Sequence, residues 1–144
     1  MQDEIKDKRK EKWFEVQFTI EALAINKDVV ENALKKHIEK MGKIRGIFIY
    51  ETKFLDTLKV EKPMKDVDEA YSQVVRLKFF AKDILTLLNV VMVYGPSSIE
   101  IMGPEKNEIK MNEVQSLANT LAGVVHQFAA AGVGGIVITP DKAQ

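Results

Sequence analysis

The chain has 144 residues, 46% of them hydrophobic, and its 21 basic and 21 acidic side chains cancel. That length holds one ordinary domain whose core needs no staples, and a neutral balance exerts no general pull on phosphate backbones or anionic lipid, so nucleic acid and membrane are disfavoured as partners. The absence of cysteine removes disulfides, thiolate nucleophiles and Cys-ligated metal centres, and with two histidines, His37 and His126, no metal site and no cofactor is expected.

Residues 1–12 carry nine charges and one apolar side chain beyond Met1, Ile5. They read as a charged lead-in, solvated and frayed or briefly helical. They lack the apolar stretch of a signal peptide, which points to a cytoplasmic protein. The segment WFEVQFTIEAL then alternates: Phe14, Val16, Phe18 and Ile20 share one face, Glu15, Gln17, Thr19 and Glu21 the other. A period of two means a strand with one buried and one wet side.

NKDVVENALKKHIEKMG follows as an amphipathic helix, with Asn26 as N-cap, Asp28 in the first turn and Gly42 beyond its end. Val30, Ala33, Leu34, His37, Ile38 and Met41 form its apolar stripe. KIRGIFIYETKFLDTLKV, rich in β-branched and aromatic residues, is a second strand in which Gly46 marks a bulge or close approach. EKPMKDVDEA is a charged connection. YSQVVRLKFFA alternates again, with Tyr71, Gln73, Val75, Leu77 and Phe79 on the inner side.

KDILTLLNVVMVYG is a short apolar helix between Asp83 and Gly95, and SSIEIMGP a brief strand closed by Gly103-Pro104. A helix over residues 112–131, opened by a capping box of Asn112 and Gln115, precedes a last short strand at 135–139. The fold class is α+β. The order makes a ferredoxin-like βαββαβ sandwich with an additional C-terminal helix and strand, one domain over residues 13–144.

Residues 71–128 also resemble the C-terminal extension domain that follows the WYL domain in bacterial transcription regulators. The resemblance rests on Tyr94, Gly95, Pro96, Ile99, Glu100, Ile101 and Pro104, set in the order strand, apolar helix, aromatic-Gly-Pro turn, strand and final helix. It implies a ferredoxin-like fold that helps to assemble a regulator or to present a ligand surface. The chain shows neither a WYL core nor a helix-turn-helix, and its last helix lacks the strong charge usual in those regulators.

Candidate chemistry is sparse. The YGPSS turn offers the Tyr94, Ser97 and Ser98 hydroxyls with free amides, and His126 adds an imidazole, which makes these four the candidate ligand-binding residues. For each, a structural role outweighs the functional one. Glu15, Glu21, Glu51 and Glu100 could stand on one sheet face, as general acid–base pairs require, but pairing with Arg45, Arg76 and Lys78 is the simpler reading. Those cations beside aromatics would suit single-stranded nucleic acid, were it not for the neighbouring glutamates. The glycines of GVGG, at 132–135, lie after a helix and before a strand, the reverse of a phosphate loop.

Residues 114–140 contain no Asp, Glu, Lys or Arg. Val114, Leu117, Leu121, Val124, Val125 and Phe128 form a stripe expected to face the core, while Ser116, Asn119, Thr120, Gly123, Gln127 and Ala130 occupy the back. A membrane span fits poorly, because Gln115, Asn119, His126, Gln127 and the helix-breaking Gly132 interrupt the run, and a helix fully buried inside one domain of this size would strain its surface-to-volume ratio. Interface centres are depleted of charge, so Asn119, Thr120, Gly123, Gln127 and Ala130 become the candidate oligomer interface. The expected function is a non-enzymatic homo-oligomeric module that either binds a small molecule at a subunit interface or acts in regulation. The alternatives are an enzyme built on the sheet-face carboxylates and a binder of single-stranded nucleic acid.

Overall fold

The structure, a computed structural model, describes residues 1–132, and the strand expected at 135–139 lies outside the described residues. In chain order the elements are α1 (Gln2–Lys10), β1 (Phe14–Ala24), α2 (Lys27–Gly42), β2 (Ile47–Phe54), β3 (Leu58–Met64), β4 (Val67–Ala81), α3 (Ile84–Tyr94), β5 (Ser98–Gly103) and α4 (Met111–Ala130). The chain expected to form one domain falls into two compact units, Met1–Asn107 and a second beginning at Glu108. The division lies within PEKNEIK, residues 104–110, whose one large apolar side chain is Ile109.

The first unit is a mixed α+β structure on a five-stranded antiparallel sheet of order β2-β4-β1-β5, with β3 also paired to β4. Alternation sets its inner face. Val16, Phe18 and Ile20 of β1 lie with Val75, Leu77 and Phe79 of β4, and Leu34, Ile38 and Met41 of α2 pack on them beside Leu87 and Val90 of α3. Phe18 and Phe79 meet edge to face, their centroids 4.7 Å apart. Burying each large side chain contributes about 1.5–3 kcal/mol, so this layer dominates the stability of the unit.

Local signals place both helices. The Asn26 side chain accepts from the Asp28 amide at 2.8 Å, and the Asp83 carboxylate from the Thr86 amide at 2.9 Å. Gly95 ends α3 in the left-handed region, at φ 52°. Gly42 behaves otherwise than expected: it is the last helical residue, and Lys43 closes α2 with right-handed dihedrals. The left-handed turn comes later, at Gly46 with φ 89°.

Three more features depart from the sequence reading. The long second strand is two strands, broken at residues 55–57. β4 is fifteen residues long, and β2 covers only its C-terminal part, from Val75 to Ala81. The chain therefore re-pairs as β3 along the N-terminal part, and the supposed charged connection becomes the β3–β4 hairpin. The break is held from outside the strand. The Leu55 amide donates to the Val74 carbonyl at 2.9 Å, the Gln73 side chain donates to the Leu55 carbonyl at 3.1 Å, and the Thr57 hydroxyl donates to the Glu31 carboxylate.

The lead-in is a packed helix, with Ile5 buried. The opening of α4 is also displaced: Glu113, not Gln115, accepts from the backbone, at the Lys110 amide 3.2 Å away. Among the described residues, no helix is long and apolar enough to cross a membrane.

Candidate functional site

On the outer sheet face, β1 presents Glu15 beside Phe80 of β4, its partner in register. Both Arg9 of α1, through Nε at 2.9 Å and a terminal nitrogen at 3.0 Å, and the Tyr50 hydroxyl of β2, at 2.6 Å, donate to the Glu15 carboxylate. The Arg9 hydrogen bonds hold this carboxyl below its usual pKa against the opposing effect of burial. Burial, then the adjacent Glu15, raises Tyr50 well above the usual phenol range. The Lys8 ammonium lies 4.2 Å from the centre of the Trp13 ring, so α1 is fixed at two points. A carboxylate committed to two donors is a structural anchor, poorly suited to take a proton from a substrate.

The other carboxylates are dispersed. Glu15 and Glu21 lie six residues apart on one strand, about 20 Å at the rise of an extended chain, far beyond acid–base pairing distance. Glu51 meets Lys78 at 3.4 Å. Glu100 stands opposite Gln17. Among the described residues, no group of three His, Asp or Glu side chains could hold a metal ion.

The cation–aromatic surface is taken up internally at Lys78 and the aromatic rings, while Arg76 is exposed. Phe80 is fully buried, and its ring meets Tyr50 at 5.2 Å and Phe48 at 6.5 Å. Arg45 lies in the turn before β2, off the sheet.

Tyr94, Ser97 and Ser98 are close in sequence, at the turn from α3 into β5. The Tyr94 ring packs 4.6 Å from His37, whose Nε2 is 3.2 Å from the Tyr94 carbonyl. Both the amide and the hydroxyl of Ser97 donate to the Thr19 carbonyl, at 2.7 and 3.0 Å. Ser98 pairs with Thr19 at the exposed start of β5. His126 is exposed on α4, in the second unit.

α4 has no buried residue. Of the stripe expected to face the core, Leu117 and Val124 are half-buried, whereas Val114, Leu121, Val125 and Phe128 are 41%, 48%, 45% and 54% exposed. The small and polar residues Asn119, Gly123, Gln127 and Ala130 are exposed as well, with Thr120 half-buried. Val114, Ala118, Leu121, Val125 and Phe128 recur at four- and three-residue steps. That spacing makes one straight seam along a helix. Glu113 is the single charged residue between Met111 and Gly132.

A family model described as the MJ0538 family matches residues 15–143. The chain belongs to the MJ0538 family. No curated protein matches it. The MJ0538 match begins at Glu15, after α1, and extends past α4, so the seam falls within the matched region and Arg9 outside it.

Sequence reasoning missed two sets of residues. Arg9 and Tyr50 lie 6 and 35 residues from Glu15, and no local pattern joins them. The exposed seam was visible as apolar spacing, but spacing cannot say whether a stripe faces its own core or another molecule.

Proposed function

We propose that this MJ0538-family chain is a non-enzymatic module that assembles into a homo-oligomer, with the exposed seam of α4 as the contact between copies. One observation carries the reading: four large apolar side chains stand exposed in a single line on a helix with one charge. A second copy is the fitting occupant. Self-pairing sets apolar against apolar over the roughly 21 Å from Val114 to Phe128, at 1.5 Å per residue, and buries no unpaired charge. This moves the contact from the small-residue face, where the sequence reading put it, to the adjoining apolar line.

The strand order β2-β4-β1-β5, with α2 and α3 on one face, supports a ferredoxin-like description in which β3 is an added strand. The resemblance to the extension domain of WYL regulators points the same way, toward an assembling role. The proposal requires no bound ligand.

Sedimentation tests it. The wild-type chain is expected to be oligomeric at micromolar concentration, and Leu121→Glu with Val125→Glu to release monomers whose sheet still unfolds cooperatively. His126→Ala, outside the seam, leaves the assembly intact. A wild-type monomer, or an oligomer indifferent to the double substitution, overturns the proposal.

A further inference from the structure

The two edges of the sheet are built differently. On one side the chain runs through Glu51 and Lys53 of β2 and then Lys59, Glu61 and Lys62 of β3. Lys62 has a positive φ of 49°, Pro63 lacks an amide hydrogen, and the ladder slips between Ile49 and Glu51 and again between Glu61 and Met64. Charges, proline and irregular register are the devices that stop an edge from pairing with a stranger.

β5, at the opposite edge, has neither proline nor positive φ within Ser98–Gly103; it carries the single charge of Glu100 and one slip of the ladder, between Ile101 and Gly103. Among the described residues it pairs only with β1, and Ile99, Ile101 and Met102 are 43%, 51% and 37% exposed. Ile99 and Ile101 stand opposite Phe18 and Val16 in register. They therefore continue the apolar inner layer to the rim, where it stops in solvent.

We propose that the β5 edge pairs antiparallel with the β5 edge of a second copy, about a two-fold axis through Ile101. A second copy is the occupant because the strand is complementary to itself in this register. Ile101 meets Ile101, and Glu100 is kept from its own copy. The register centred one residue earlier would set Glu100 against Glu100, and like charges directly opposite are destabilising. Both inner layers then become continuous, the free amides and carbonyls of two edges are satisfied, and the two-fold limits this contact to a pair. Such pairing is independent of the α4 seam. Alone it buries less than a standard interface of about 1,600 Å², so it is concentration-dependent and better trapped than weighed.

The absence of cysteine makes trapping clean. Single Ile101→Cys, Glu100→Cys and Lys36→Cys variants of the full chain, the last on the exposed side of α2, are oxidised mildly at micromolar concentration. Each is first checked for an unchanged thermal transition. Ile101→Cys is expected to form a disulfide dimer on the order of a hundredfold faster than Lys36→Cys, since pairing raises the effective thiol concentration toward millimolar. Repeating the series with Leu121→Glu and Val125→Glu in place leaves that advantage unchanged, which separates this contact from the α4 seam. Equal rates for Ile101→Cys and Lys36→Cys, or faster crosslinking of Glu100→Cys than of Ile101→Cys, overturn the proposal.

Discussion

The Tyr50 hydroxyl reaches over β4 to donate to Glu15 at 2.6 Å, joining two strands that are not neighbours in the sheet. Its ring covers Phe80 on the way, and Arg9 grips the same carboxylate from α1. Glu15→Gln keeps the shape but removes the charge. The expected loss is about 1–2 kcal/mol, from charge-assisted hydrogen bonds to a partly exposed partner, read as a lower urea midpoint. Trp13, the sole tryptophan, becomes more accessible to acrylamide as α1 loosens.

The same carboxylate sets a pH window. Its folded pKa is depressed, so its contribution is complete above the usual carboxylate range and is lost as pH falls through the lowered value. Thermal scans of wild type and Glu15→Gln should run parallel from pH 7 to about 5 and converge only in stronger acid, as the wild-type carboxyl takes up its proton. Parallel curves down to pH 2 would show that the ion pair adds nothing.

Phe79 is fully buried against Phe18. Phe79→Ala is expected to cost about 3–5 kcal/mol by lost transfer and cavity formation. Equilibrium denaturation at unchanged slope measures it. A cost below that of a surface substitution would mean that this layer is not the stabilising core.

Gly46 turns the chain into β2 at φ 89°, and a Cβ there would lie 3.4 Å from Lys82 Cβ and from Thr86. Gly46→Ala is expected to destabilise by about 1–2 kcal/mol, the penalty of a left-handed backbone for a side chain. Differential scanning calorimetry reads it as a lower midpoint.

Much of the first unit was legible along the chain because its signals are local. The alternation of Val16, Phe18 and Ile20 and of Val75, Leu77 and Phe79 declared the inner face, and Asn26, Asp83 and Gly95 marked helix ends where they stand. The split of β2 from β3 was not legible. Residues 47–60 read as one β-forming run, and the break depends on the length of β4 and on Gln73 and Glu31, distant in sequence. Residues 1–12 looked solvated because their composition is charged, yet Arg9 and Lys8 are held by Glu15 and Trp13. The candidate ligand residues were chosen for their polar groups, and only the fold shows the Ser97 hydroxyl already bonded to Thr19.

The sequence by itself determined periodicity: which side chains share a face of each strand or helix, and that the last helix has almost no charge to keep it in water. Tertiary structure decided what each face meets, because burial is a property of packed elements and not of spacing. Thus the apolar inner side of β1 and β4 became a core, while the line from Val114 to Phe128 was left in solvent.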